Sequence, residues 1–247
     1  MVTRALEQAG ALSEPLRELG AEVLELPTIR IEDPEDRKEF IEMVSHAHQY
    51  DWLVFTSANG ARRFFDAFFK IYDDARSLGK PRIAVIGEGT AEAVREFRFG
   101  IDLQPERSVG EGLVEAFTKL SIENLTMLWV KAEKTRRVVG EGLEALGAIV
   151  DECIAYRTVP ETGDPTGNVK RFREQGADLV AFTSASTVVH FFGLGLELPE
   201  GCAAAGIGPV TTKMLREQGI PPAVEADPHT IEGLVEGIRK HFSGEAP

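Results

Sequence analysis

The stretch Asp51-Trp-Leu-Val-Phe55-Thr56-Ser57 decides the fold, because it occurs a second time in the chain. The second occurrence is Asp178-Leu-Val-Ala-Phe182-Thr183-Ser184, 127 residues further along. In both, a short apolar run is followed by Thr and Ser, a pattern typical of a buried strand that ends in a turn before a helix. The sequence therefore predicts the same strand–turn–helix unit twice.

Three further segments repeat in the same order. Residues 16–21 match 143–148 at the same offset of 127, whereas residues 86–90 match 207–211, and 111–115 match 232–236, at an offset of 121. The change in offset indicates one difference in loop length, around residues 68–80. Matches that keep one order and two constant offsets indicate an internal duplication. We interpret the chain as two copies of one unit.

Each copy alternates predicted strands with predicted helices. Strands are expected at 51–55, 82–86, 127–130, 178–182 and 202–207, and helices at 61–69, 91–97, 187–192 and 212–218. This alternation is typical of parallel sheets with helices on both faces, so two doubly wound α/β domains are expected. Segments 27–33 and 157–164 resemble connectors. They allow either a domain built from both chain ends or a plain division near residue 124.

Composition excludes several classes of protein. The 40 acidic and 27 basic residues give a net charge of −13, and no basic stripe for a nucleic acid is visible. No apolar run reaches the roughly 18 residues that a bilayer span needs, and residues 1–10 do not resemble a secretory signal. Cys153 and Cys202 lack a CxxC spacing, which predicts buried, reduced thiols and a cytoplasmic protein.

The turns after the strands are the main candidates for a binding site. They comprise residues 55–60 and 182–187, which are rich in Ser, Thr and Asn, and residues 87–90 and 208–211, which begin with Gly and end with Thr at or near a helix N-cap. Backbone N–H groups at a helix N-terminus bind anions, and plain helix capping is the alternative interpretation. The sequence carries no dinucleotide fingerprint, Walker loop or zinc spacing.

Other candidates are single residues. Arg4, Lys131, Arg136 and Arg137 have the charge to contact a carboxylate, although solvated positions are the default for basic side chains. Tyr156 is one of three tyrosines and is expected to end a strand beside a connector. A strand tyrosine that packs with its hydroxyl in water is the alternative.

Taken in order, these segments resemble the uroporphyrinogen-III synthase family, from residue 3 to about residue 242. The resemblance includes Phe55-Thr-Ser-Ala-Asn-Gly60, Val85-Ile-Gly-Glu-Gly-Thr90, Ala155-Tyr156-Arg157, Phe182-Thr-Ser-Ala-Ser186, Ile207-Gly-Pro-Val-Thr211 and Thr230-Ile-Glu-Gly-Leu234. Each motif is short, but the complete ordered set is specific.

The resemblance implies two doubly wound domains joined by a two-stranded connector. It favours domain 1 from residues 1–30 and 160–247, domain 2 from residues 34–153, and connectors at about 27–33 and 154–164. It also implies a cofactor-free, metal-free monomer that binds linear hydroxymethylbilane between its domains. The enzyme would cyclise this substrate to uroporphyrinogen III, with loss of water and inversion of the terminal pyrrole ring through a spiro intermediate.

The resemblance also implies site residues. The expected substrate contacts are Thr56, Ser57, Thr90, Ser184 and Thr211, with Arg4 and Arg136 as further carboxylate contacts. Tyr156 matches the family's proposed acid, which assists departure of the hydroxyl group. The chain departs from the family in two places: the first strand is reduced to about residues 1–3, and Lys131-Ala132 replaces the usual Arg-Gly.

Two other functions remain open at this point. A two-domain tetrapyrrole or small-ligand sensor without enzymatic activity would suit the same fold. A glycosyltransferase with paired α/β domains would need a nucleotide site, for which the sequence carries no glycine-rich fingerprint.

Overall fold

The computed structural model describes residues 1–244, except for the side chain of Glu7. The described α-helices are α1 (Leu6–Glu18), α2 (Arg37–Ser45), α3 (Ala58–Ile71), α4 (Glu88–Glu96), α5 (Gly110–Phe117), α6 (Val138–Ala145), α7 (Asn168–Gln175), α8 (Ala185–Gly193), α9 (Pro209–Glu217) and α10 (Ile231–Ser243). The described strands are β1 (Ile29–Glu32), β2 (Trp52–Phe55), β3 (Arg82–Val85), β4 (Thr126–Ala132), β5 (Ile149–Pro160), β6 (Leu179–Phe182), β7 (Ala203–Gly206) and β8 (Val224–Glu225). The predicted α/β architecture with parallel sheets is confirmed.

The chain divides into two compact units. Unit 1 comprises Met1–Ile31 and Val159–Pro247, and unit 2 comprises Glu32–Thr158. Both boundaries fall inside strands, because β1 and β5 each contribute residues to both units. The segments expected to be connectors therefore contain regular structure, namely β1 and the last part of β5.

A five-stranded sheet in the order β1-β5-β4-β2-β3 includes the strands of unit 2. β2 pairs in parallel with both β3 and β4, so that Phe55 lies beside Val85 on one side and Val130 on the other. β4 pairs in parallel with β5. The carboxyl ends of these four strands consequently share one edge of the sheet, and the turns that follow β2 and β3 are neighbours there.

The start of α3 is held in place by aromatic packing in unit 2. Phe55 at the end of β2 contacts Phe64 and Phe65 of α3, with ring centroids 5.3 and 5.4 Å apart. All three rings are fully buried. Burial of one such side chain contributes roughly 1.5–3 kcal/mol, so this cluster fixes the helix against the strand that precedes it.

Unit 1 contains a three-stranded parallel sheet in the order β6-β7-β8. The predicted first strand at residues 1–3 is reduced to isolated bridges, in which Val2 pairs with Glu25 and with Ala181. The Ala181 N–H donates to the Met1 carbonyl over 2.8 Å, and the Leu26 N–H donates to the Val2 carbonyl over 2.9 Å. Three residues therefore still link the segment around Glu25 to β6, although they are too few for a full ladder.

The predicted duplication is visible in the positions of the elements. α3 and α8 begin 127 residues apart, at Ala58 and Ala185, whereas α4 and α9 begin 121 residues apart, at Glu88 and Pro209. The second copy is shorter at the place that the change in offset indicated, because α8 has 9 residues where α3 of the first copy has 14. Among the described residues, no helix has the length and apolar character needed to cross a membrane.

Candidate functional site

The candidate site of unit 2 begins with a turn that joins β2 to α3. Ser57 is the N-cap of α3, and its Oγ accepts a hydrogen bond from the Gly60 N–H over 3.1 Å. The capping interpretation is therefore correct for this residue. The same Oγ also accepts a hydrogen bond from the Tyr156 hydroxyl over 3.0 Å. Ser57 thus connects the helix start to a tyrosine on β5.

Tyr156 lies inside β5, which continues to Pro160, so the expectation that it ends a strand is wrong. Its side chain is buried, and the burial raises the pKa of the phenol above its ordinary value of 10.0. Hydrogen bonds to Ser57 and Asn59, and the charge of Arg63, act in the opposite direction but are weaker. The phenol is consequently protonated at neutral pH, which is the state that a proton donor needs.

Thr56 lies beside Ser57 and has a partner that the sequence did not reveal. The indole N–H of Trp129, a buried residue of β4, donates to Thr56 Oγ1 over 3.1 Å. The sequence patterns did not single out Asn59 or Trp129, although Asn59 lies in the turn at residues 55–60. Asn59 was visible as a polar residue in the turn, whereas Trp129 had no local signal because its partner is 73 residues away.

The second turn of unit 2 leads from β3 into α4. Gly87 is the N-cap, and no side chain caps this helix. Thr90, which was expected at or near the N-cap, is the third residue of the helix and is buried. Gly87 is required here, because a Cβ atom at this position would lie 2.7 Å from Ser108 Oγ. The N-terminal backbone N–H groups of α4 thus lack the side-chain acceptor that α3 has.

The basic candidates of unit 2 have acidic partners. Arg136 is exposed and forms an ion pair with Glu111 at 2.8 Å. Lys131 is buried at the end of β4, and its Nζ lies 2.6 Å from Glu152 Oε2 and 4.8 Å from the centre of the Trp129 ring. The structure thus brings three predicted site residues together: Tyr156 donates to Ser57, and Thr56 is the neighbour of Ser57 in the chain. Arg136 is instead paired with Glu111 of α5.

Unit 1 contains the equivalent turn between β6 and α8. Ser184 is the N-cap of α8, and its Oγ accepts from the Thr187 N–H over 3.3 Å and lies 2.9 Å from Ser186 Oγ. The Thr187 hydroxyl donates to the Ser184 carbonyl over 2.7 Å. The buried Thr28 hydroxyl lies 3.2 Å from the Thr187 carbonyl, which ties this turn to the segment before β1.

The second turn of unit 1 repeats the arrangement at α4. Gly208 is the N-cap of α9, and no side chain caps the helix. Thr211 is its third residue and is buried, so it too lies inside the helix and not at its cap. Arg4 follows the Val2 bridge and is partly buried, at the position that corresponds to Lys131 in the second copy.

No group of three or more His, Cys, Asp or Glu side chains within the described part of the chain has the arrangement to hold a metal ion. A cavity of about 810 Å³ in unit 1 is lined by residues at the amino ends of β6 and β7, including Asp178, Leu179 and Cys202. Ligands of open α/β sheets bind at the carboxyl ends, so we do not assign this cavity to the site.

Comparison with known proteins identifies relatives along almost the whole chain. The family model described as uroporphyrinogen-III synthase HemD matches residues 10–236. The uroporphyrinogen-III synthase of Synechococcus elongatus is 29% identical over 252 residues, which cover 97% of this chain and 94% of that protein. The porphyrin biosynthesis protein HemD of Ruminiclostridium josui is 29% identical over 240 residues, covering 96% of this chain and 47% of that protein.

Solved structures share the fold. The uroporphyrinogen III synthase of Thermus thermophilus, in a mutant form, superposes with a TM-score of 0.66 at 20% identity, covering 99% of this chain and 98% of that one. The Helicobacter pylori enzyme of the same description gives a TM-score of 0.61 at 18% identity, with 87% and 92% covered. At these identities the likeness concerns the fold alone.

Proposed function

Because the chain belongs to the uroporphyrinogen-III synthase family, we propose that Tyr156 is its proton donor and that the four strand–helix turns bind its substrate. The enzyme cyclises linear hydroxymethylbilane to uroporphyrinogen III, a step of porphyrin biosynthesis in which water is lost and the terminal pyrrole ring is inverted. This activity makes it a lyase. The observation that carries the activity is the family match over residues 10–236.

The proposed role of Tyr156 is to assist departure of the substrate's hydroxyl group. The phenol proton passes to this oxygen as the carbon–oxygen bond breaks, so the group leaves as water. The adjacent pyrrole nitrogen supplies the electron pair and keeps its own proton, so a protonated azafulvene forms opposite the phenolate. After the terminal pyrrole carbon attacks and the spiro intermediate rearranges, the macrocycle releases a proton that restores the phenol. The raised pKa of Tyr156 supports this role, because the phenol carries its proton at neutral pH.

The substrate's acetate and propionate groups are proposed to bind at the turns. Thr56, Ser57 and Thr90 would serve in unit 2, and Ser184 and Thr211 in unit 1, with Arg4 and Arg136 as further carboxylate contacts. α4 and α9 support the proposal, since neither helix has a side-chain cap. Helix N-termini attract anions locally, so a net charge of −13 does not prevent a polycarboxylate from binding.

Three further properties belong to the proposal. We expect the enzyme to work without metal or cofactor, as a monomer, and in the cytoplasm. Activity that survives extensive chelation, with a single sedimenting species of monomer mass at assay concentrations, would support the first two. Fractionation of cells that express the native chain tests the third.

The decisive experiment measures the isomer that forms. Hydroxymethylbilane is generated in the assay, the product is oxidised to the porphyrin, and the type III and type I isomers are separated by chromatography. The enzyme is expected to give type III in excess of the spontaneous type I background. A protein that binds the product without forming type III isomer would be a sensor and would contradict the proposal.

A pair of variants tests the turns. Thr90→Val with Thr211→Val keeps the side-chain volume and removes both hydroxyl groups, so turnover or the III-to-I ratio should fall. Thr118→Val with Thr162→Val is the matched control, with one exposed threonine from each unit. Equal behaviour of the two double variants would remove Thr90 and Thr211 from the site.

A further inference from the structure

We propose that Trp129 is a positioning residue, which orients the Thr56 hydroxyl so that its proton points toward a substrate carboxylate. This inference rests on the proposed function, in which Thr56 contacts the substrate. The evidence is the hydrogen bond of 3.1 Å between the Trp129 indole and Thr56 Oγ1. Trp129 lies outside the motifs that carry the family resemblance.

The direction of this hydrogen bond is fixed by chemistry. An indole N–H only donates, so Thr56 Oγ1 must be the acceptor. A hydroxyl has one proton to give, and the Trp129 N–H occupies the side of the oxygen that faces β4. The Thr56 proton is therefore left for another acceptor. A carboxylate only accepts hydrogen bonds, which makes it the complementary partner for a hydroxyl held in this state.

The indole itself has little freedom to turn away. Trp129 is fully buried on β4, in register with Val54 of β2. The Lys131 ammonium group lies over its ring at 4.8 Å, and the backbone of Gly140 is so close that a Cβ atom there would lie 2.8 Å from the ring. The donor is thus held on a rigid strand, and Thr56 is half-buried at the sheet edge beside the start of α3.

Two other positions in the chain can be compared with Trp129. Trp52, on the neighbouring strand β2, is equally buried, but its indole N–H has no hydrogen-bond partner among the described residues. In the first copy, the position that corresponds to Trp129 holds Val2, which has no side-chain donor. The orientation of a turn hydroxyl by an indole is therefore a feature that we assign to Thr56 and not to Thr183.

The test compares Trp129→Phe with Trp52→Phe, because each removes an indole from the same buried sheet. One net hydrogen bond corresponds to roughly a threefold to tenfold change in binding. Trp129→Phe should raise KM for hydroxymethylbilane, and Kd for uroporphyrinogen III, by about this factor with kcat nearly unchanged. Trp52→Phe should leave both constants within about twofold. Thr56→Val should raise KM at least as much as Trp129→Phe does. The double variant Thr56→Val, Trp129→Phe should have a KM no higher than that of Thr56→Val alone.

The outcomes separate the two proposals. If Thr56→Val raises KM but Trp129→Phe behaves like Trp52→Phe, the positioning role is overturned and Thr56 remains in the site. If Thr56→Val leaves KM unchanged, the assignment of Thr56 to the site fails. Should Trp129→Phe not fold, the Trp52→Phe background allows the remaining tryptophan to be replaced by benzothienylalanine, which keeps the shape and lacks the N–H. An unchanged KM in that protein also overturns the inference.

Discussion

The Tyr156 hydroxyl donates to Ser57 Oγ over 3.0 Å, although the two residues are 99 positions apart in the chain. Ser57 Oγ also accepts the Gly60 N–H, so one oxygen links the first turn of α3 to a phenol on β5. A change at either residue therefore acts both on the stability of unit 2 and on the proposed proton donor.

Ser57→Ala should destabilise the protein more than Ser184→Ala. Each variant removes an N-cap, which costs about 1 kcal/mol, and each removes one further hydrogen bond. The further partner of Ser57 is the buried Tyr156 hydroxyl, whereas that of Ser184 is the half-buried Ser186 hydroxyl, which water can reach. The additional loss should be about 1 kcal/mol in the free energy of unfolding, measured by urea titration. Equal destabilisation by both substitutions would show that the Tyr156 hydrogen bond contributes nothing.

Tyr156→Phe should slow the reaction without abolishing it. A general acid contributes about 10²–10⁴ in rate, and we expect a loss at or below the low end because the substrate is activated. The remaining product should still be the type III isomer, since the turns orient the substrate. Tyr50→Phe is the control, because its phenol donates to Asp151 outside the candidate site. Absence of type III product above the background from Tyr156→Phe would make the phenol essential.

The pH dependence of activity follows from the raised pKa of Tyr156. Burial lifts the pKa above 10.0, so the phenol stays protonated up to and beyond pH 10 in the folded protein. The ratio of kcat/KM between wild type and Tyr156→Phe should therefore be constant from about pH 7 to pH 9. The same shift predicts that the stability contribution of Tyr156 is complete below about pH 10 and is lost as the pH rises through the folded-state pKa. A ratio that already falls toward one by pH 9 would contradict the assignment of a raised pKa.

The two thiols should react at very different rates. Cys153 is fully buried, and burial raises its pKa to about 12, whereas Cys202 is partly exposed, with a pKa that burial also raises. At pH 8, Ellman's reagent should modify Cys202 slowly in the native protein, and Cys153 only after unfolding in urea. Cys202→Ser should remove the native reaction. Native modification that persists in Cys202→Ser would contradict the burial of Cys153.

Gly87→Ala should destabilise the protein, whereas Gly89→Ala should not. A Cβ atom at Gly87 would lie 2.7 Å from Ser108 Oγ, but a Cβ at Gly89 meets no atom within 4 Å. We expect a loss of about 1–3 kcal/mol for the first variant and a gain of up to about 1 kcal/mol for the second, from helix propensity. Thermal melts of both variants measure the difference. Equal melting temperatures would mean that Ser108 moves aside without cost.

The sequence predicted the parts of the fold that depend on local patterns. Strand–turn–helix units at Phe55 and Phe182 follow from apolar runs with capping residues, and the structure has them where the repeat required. Residues 1–3 were expected to form a short strand, but only Val2 forms bridges, because a strand requires several consecutive residues to pair with its neighbour. Thr90 and Thr211 lie near the caps as expected, in the first turns of α4 and α9, but the N-cap positions themselves belong to Gly87 and Gly208.

The contacts within the candidate site were not predictable from local patterns. The hydrogen bonds from Tyr156 to Ser57 and from Trp129 to Thr56 join residues 99 and 73 positions apart. They depend on the register of β2, β4 and β5, which periodicity does not provide. The family resemblance pointed to Tyr156 and Thr56, but it said nothing about their partners.

The duplication leaves the two copies unequal at the position of the proposed proton donor. At the offset of 127, Tyr156 of the second copy corresponds to Ile29 of the first, a buried side chain that has no proton to give. Hydroxymethylbilane is itself a chain with a head and a tail, since one end alone carries the leaving hydroxyl. A perfectly symmetrical duplicate would present an acid to both ends. With the phenol that we propose as the acid on one copy and a hydrocarbon on the other, the two copies differ chemically, as the two ends of the substrate do.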